Sequence, residues 1–209
     1  MIAATTCGSS DSLADAPTDS SDLQHAMDLY ERFDEELSSN LEEAREWIFK
    51  NCGSSQRMDP LMHLLGQMDF GDWLQLLGDL WCNCDNVGLY KDDLDKILKE
   101  WLDDPLTVIP ELMSATEKDA FNALPDEIKI YRGCGPKNKA GMSWSLKREV
   151  AVRFPFNIRY WAHQPLLLTA TIRKERAAAL KLERNEHEII VIDLPENFWT
   201  EEHISKPDA

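Results

Sequence analysis

Glu127-Ile-Lys-Ile-Tyr-Arg-Gly-Cys134 is the stretch on which the reading of the fold turns. Ile128, Ile130 and Arg132 alternate with Lys129, Tyr131 and Gly133, the two-residue period of a short strand. Working outward toward the C-terminus, Gly141-Met-Ser-Trp-Ser145 reads as a second short strand and Leu146 to Phe154 as a helix. Pro165 to Arg173, Ala178 to Leu182 and Glu186 to Asp193 are rich in Leu, Ile, Val and Thr and read as three more strands. Toward the N-terminus the period changes at Pro125. Leu23, Met27, Tyr30, Phe33, Leu37, Leu41, Ala44 and Trp47 recur every three or four residues, which is one face of a long helix. Asp59-Pro60 reads as an N-cap followed by proline at the first helical position, with Leu61, Leu64, Leu65 and Met68 continuing that helix. Phe70 to Trp81 and Leu94 to Leu102 are two further amphipathic runs, and Ser114 or Thr116 caps a short helix ending before Pro125. Helices followed by strands predict an α+β arrangement.

Composition narrows the class. The chain has 209 residues, 43% of them hydrophobic, with seven Trp, enough for a buried core. Five Cys at 7, 52, 82, 84 and 134 do not form a disulfide framework, so reduced thiols and a cytoplasmic or host-cytosol location are expected. Neither a signal peptide nor a membrane-spanning run is visible. The net charge of -16 is unevenly placed: residues 1–125 hold 26 Asp and Glu against 8 Lys and Arg, and residues 126–209 hold 12 against 14. The acidic front half argues against direct nucleic-acid binding, because phosphates would be repelled. A near-neutral back half leaves room for an anionic ligand held by a few basic groups. No zinc-binding spacing is present, so Cys82 and Cys84 read as buried thiols and no metal is expected.

Three motifs follow in order: Ile-Tyr-Arg-Gly at 130–133, Ser-Trp-Ser at 143–145, and Glu-His-Glu at 186–188 leading into Ile-Ile-Val. Together they resemble the Arg, Ser-x-Ser and Glu-x-Glu signature of the arginine-type mono-ADP-ribosyltransferases. The resemblance covers the back part of the chain and is not evident in the helical front. Its middle motif departs from the family, which more usually has Thr where this chain has Trp144. It implies a helical lobe packed on a small, mostly antiparallel split β-sandwich, with NAD as co-substrate. Glu188 is then the carboxylate that stabilises an oxocarbenium-like ribose. Arg132 anchors the phosphates. Ser143 and Ser145 belong to the NAD site, Ser143 holding Glu188 and the ribose in register. Gly133 lets the backbone approach the nicotinamide amide. Glu186, on the same strand face as Glu188, orients the acceptor, and in this family that residue goes with arginine modification.

The layout that follows is a disordered tail over 1–20, an acidic helical lobe over 21–125 that recognises a target or completes the catalytic domain, an NAD-binding β-rich core over 126–195, and a C-terminal tail over 196–209. Phe156 or Tyr160 lies where a loop would cover the nicotinamide. The resemblance implies a toxin, effector or phage modifier acting on a macromolecule, first of all a protein, with an inhibitor or antitoxin as a further partner. Two other readings stay open: an NAD glycohydrolase using the same site, and a non-catalytic acidic binding protein on the same fold.

Overall fold

A computed structural model describes residues 32–33, 36–85, 87–101, 108–157 and 161–206. Two compact units divide the chain, Met1–Ser38 and Ser39–Ala209. The expected tail over 1–20, and the start of the first predicted helix through residue 31, lie outside the described residues. Within the first unit Arg32 pairs with Glu36 one helical turn away at 3.6 Å. The single long helix expected through Trp47 is interrupted. Residues 37–40 are not helical, and Asn40 caps a new helix by accepting from the backbone N–H of Glu42 and Glu43. Ser38-Ser39-Asn40 supplies the break, because short polar side chains compete for backbone hydrogen bonds.

The second unit begins with helices α1 (Leu41–Asn51), α2 (Met58–His63), α3 (Phe70–Trp81), α4 (Lys91–Trp101) and α5 (Ala115–Asn122). Helix α2 starts one residue before the expected Asp59, whose carboxylate instead accepts from the Tyr90 hydroxyl. Asp69 caps α3, which buries Trp73, Leu76, Leu77 and Leu80 completely. The Trp73 indole donates to the Leu61 carbonyl at 2.8 Å and so fixes α2 against α3. Ser114 and Glu117 form a capping box at α5.

Strands β1 (Glu127–Cys134), β2 (Ser143–Ser145), β3 (Leu166–Arg173), β4 (Ala179–Lys181), β5 (Glu188–Ile190) and β6 (Trp199–His203) make an antiparallel sheet in the order β4-β5-β2-β1-β3-β6. A four-residue helix α6 (Arg148–Ala151) and a turn of 3₁₀ helix over Phe154–Phe156 follow β2. Where a split sandwich was expected, the six strands are continuous, yet β1 and β2 share one register pair, Tyr131 opposite Ser145. The ladder between β1 and β3 has eight pairs. The sheet is therefore two three-stranded halves joined at a single bridge, and the site lies at that joint. Burial along β1 alternates only as far as Ile130, after which Tyr131, Arg132 and Gly133 are all half-buried. The segment 196–209, expected as a tail, supplies β6 on the sheet edge. Its outward residues Thr200 to His203 are polar, and only Trp199 is buried, packed on Trp144 at 5.8 Å between rings. Polar edge strands guard against pairing with other chains, which is why the hydrophobic pattern did not announce this one.

Helices and sheet are bolted together by a buried ion pair. Lys181 on β4 meets Glu117 on α5 at 2.9 Å, both under 5% exposed. Lys181 also donates to the Leu112 carbonyl at 3.0 Å, and Glu117 accepts from the backbone N–H of Ser114 and Leu182. Among the described residues no helix is long and apolar enough to cross a membrane.

With every partner in place the pair is satisfied; removing one member strands a buried charge. Glu117→Ala or Lys181→Ala should each lower the unfolding free energy by about 3–5 kcal/mol in urea titrations, whereas Glu117→Leu combined with Lys181→Met should recover most of it. Burial alone would raise the Glu117 carboxyl, but Lys181 and the backbone donors outweigh it and hold the carboxyl below its ordinary value. A depressed carboxyl stabilises above its unfolded pKa, and that stabilisation is lost as pH falls through the lower folded value. Acid should therefore erode the native chain's stability more than that of the apolar double variant.

Candidate active site

A cleft of about 1340 Å³ opens where the end of α3 meets the joint between β1, β2 and β5. Drug-sized pockets run to about 1,000 Å³, so this one has room for an extended dinucleotide. All six residues singled out from the sequence line it: Arg132, Gly133, Ser143, Ser145, Glu186 and Glu188. The register explains their convergence, since Ser145 lies opposite Glu188 across β2 and β5 and opposite Tyr131 across β2 and β1. In a chain carrying a net charge of -16, five cationic side chains line the cleft against three carboxylates, Asp85, Glu186 and Glu188. Of those cations Lys137, Arg153 and Arg184 have no ion pair among the described residues.

Arg132 projects across the joint. Its Nη1 donates to the Ser143 carbonyl at 2.6 Å, and Nε and Nη2 donate to the Asn138 carbonyl at 3.3 and 2.9 Å. A guanidinium has five N–H bonds, so two remain for a ligand. The guanidinium also fills the space beside Gly141, where an added Cβ would lie 2.0 Å from Nη2. Arg132 thus holds the 138–143 loop against β1 as well as presenting charge. Loss of water lowers its pKa from the ordinary value, and the nearby Glu188 carboxylate acts in the opposite sense.

Glu188 opens β5, and its carboxylate is held from the helical half of the chain. The Trp81 indole at the end of α3 donates to Oε1 at 2.7 Å, and the Cys82 thiol faces Oε2 at 3.8 Å. Burial, then the charge of Glu188, pushes the Cys82 thiol far up, and burial pushes the Cys84 thiol up to about 12. Both thiols are protonated at neutral pH, which leaves the carboxylates as the reactive groups here.

Several roles expected from the sequence change. Ser143 does not hold Glu188: its hydroxyl has no partner among the described residues, and its carbonyl is what Arg132 grips. Ser145 is a structural link, its hydroxyl donating to the Glu186 carbonyl at 2.7 Å and accepting from Lys147 N–H. Gly133 is required by packing, since a Cβ there would sit 1.8 Å from the Ala151 carbonyl of α6. Glu186 is not on a strand. It follows a turn in which Arg184 and Asn185 have positive φ (54° and 57°) and precedes His187 at 47°, a sparsely populated conformation for side-chain-bearing residues. Burial and then the Glu188 charge raise the Glu186 carboxyl above its ordinary value, with Arg184 opposing. Phe154 lines the cleft whereas Phe156 does not, and Tyr160 lies outside the described residues. Trp144, which strand alternation places on the opposite face from Ser143 and Ser145, is buried in the core.

Comparison with family models, with curated proteins and with solved structures gave no match. Trp81 and Gly141 were not singled out from the sequence, and Cys82 was read there only as a buried thiol. Trp81 and Cys82 sit at the end of an amphipathic helix whose pattern reports only burial, and no local signal ties them to a residue more than 100 positions away.

Gly133→Ala should destabilise the fold by about 3 kcal/mol, the upper range for overpacking, because the obstacle is backbone of α6 rather than a mobile side chain. Chemical denaturation checks this, and an unchanged midpoint would show that α6 yields at little cost.

Proposed function

We propose that the cleft binds NAD and that the chain transfers ADP-ribose from it to a macromolecular acceptor, in the first place a protein arginine. The observation that carries this reading is the convergence of Arg132, Ser143 and Glu188, from three neighbouring strands, on one cleft that is locally cationic in an acidic chain. The ADP-ribosyltransferase form of the α+β fold belongs to the same proposal. It is supported by the order of the three motifs and by the two sheet halves meeting at Tyr131 and Ser145.

The chemistry follows from the groups present. The pyrophosphate is a dianion, and the two remaining Arg132 N–H bonds, with Lys137 and Arg153 that also line the cleft, supply its counter-charge. When the nicotinamide–ribose bond breaks, its electron pair leaves with nicotinamide and positive charge develops on the ribose. Glu188 stabilises that charge, and its low-polarity surroundings of Trp81 and Cys82 strengthen the effect. The acceptor nitrogen then attacks the ribose carbon and gives up a proton, which Glu186 accepts. A carboxylate whose pKa lies above its usual range is a better base for that step than an ordinary one. The acidic helices, including the exposed Asp92 and Asp93, suit a basic acceptor surface.

Incubating the chain with labelled NAD and cell protein should label protein, and Glu188→Gln should lower the rate by about 10²–10³-fold while leaving the melting transition in place. NAD loss without labelled protein would replace transfer by hydrolysis. Intact NAD with retained biological effect of Glu188→Gln would favour a binding protein. Protonating Glu186 removes the base, so transfer should fall on the acid side at a higher pH than an ordinary carboxylate dictates. Glu186→Gln should abolish that acidic limb and leave NAD hydrolysis running; an unchanged pH profile would remove Glu186 from the mechanism.

A further inference from the structure

We infer that Trp81 is the positioning residue for Glu188, doing from helix α3 the work that the motif resemblance assigns to Ser143. This inference rests on the NAD-cleaving reading of the cleft and deepens it.

A glutamate at the start of a strand has freely turning side-chain torsions, and an electrostatic stabiliser is effective only when fixed where charge develops. The Ser143 hydroxyl makes no hydrogen bond to Glu188 or to any other described residue, and the Ser145 hydroxyl is taken up by the Glu186 carbonyl and Lys147. The donors that reach the Glu188 carboxylate are the Trp81 indole at 2.7 Å and the Cys82 thiol at 3.8 Å. Trp81 is itself immobile. It is 3% exposed and closes a helix whose preceding turns bury Trp73, Leu77 and Leu80 completely. An indole carries one N–H and no acceptor, so it can only donate, and here it donates to the carboxylate. It occupies Oε1 and leaves Oε2, beside the weak thiol donor, for the ribose hydroxyl. Cys82 stays protonated because burial and the Glu188 charge both oppose its ionisation, so it neither repels the carboxylate nor competes for the ribose. The arrangement also explains why helices and strands form one unit: the reactive carboxylate is anchored to one half of the chain and carried by the other.

The test is steady-state NAD turnover by the full chain with Trp81 replaced in two ways. One variant is Trp81→Phe; the other carries 3-benzothienylalanine at position 81, which keeps the indole shape and lacks the N–H. Native chain and Glu188→Gln run alongside. Losing a hydrogen bond to a charged group that matters mainly in the transition state should lower kcat about 10- to 100-fold in both Trp81 variants. KM for NAD should stay within about twofold. A shape-keeping variant with native kcat, beside an inactive Glu188→Gln, overturns the role of Trp81 and leaves the functional reading intact. A fall in kcat confined to Trp81→Phe also overturns it, since shape rather than the N–H would then matter. A native chain that leaves NAD untouched overturns the functional reading and the role of Trp81 with it.

Discussion

A carboxylate carried by a strand and gripped by a helix is the constraint to which the rest of this structure conforms. The indole of Trp81 reaches Glu188 at 2.7 Å, and for that contact to exist the end of α3 must sit over the start of β5. The buried Lys181–Glu117 pair enforces the same approach on the neighbouring strand, since β4 is bonded to β5 and α5 is bonded to β4. Burial of charge is costly unless every partner is supplied, and here the Leu112 carbonyl and the Ser114 and Leu182 N–H groups supply them. The helices are therefore not an appendage to a self-sufficient sheet. They complete both its core and its cleft.

The second constraint is the weak joint between the sheet halves. One register pair connects β1 to β2, and a sheet so joined opens a gap on its face. Arg132 spans that gap by gripping the Asn138 and Ser143 carbonyls, and Gly141 makes room for its guanidinium. On the other side of the cleft the turn at Arg184–His187 is held in left-handed conformations that cost about 1–3 kcal/mol each unless the surroundings enforce them. Ser145 is part of that enforcement, through its bond to the Glu186 carbonyl. The residues with the sharpest sequence signal are thus divided: Glu186 and Glu188 present carboxylates to the cleft, Ser145 and Gly133 shape it, and Arg132 does both.

Most of the fold was legible because its elements obey local rules. The two-residue period of Ile128 and Ile130, the capping of α5 by Ser114, and the helical period through Trp73 and Leu77 all place elements correctly. What was not legible depends on distant partners. The strand at Trp199 reads as a polar tail until β3 is there to pair with it. Glu186 reads as a strand residue until the positive φ of His187 removes it. Trp81 and Cys82 read as helix-core residues, and nothing near them in sequence points to Glu188. The convergence of the six motif residues was legible in kind but not in role, since motif order reports proximity and leaves open which atom of Ser143 or Gly133 is used.

The central claim is that this cleft is a dinucleotide site, and binding tests it without the complications of turnover. Titrating NAD into Glu188→Gln chain labelled with ¹⁵N should give saturable shifts of backbone amides in 131–145 and 186–190, at one molecule per chain. Shifts confined to α1 and α4, or none at millimolar NAD, would contradict it.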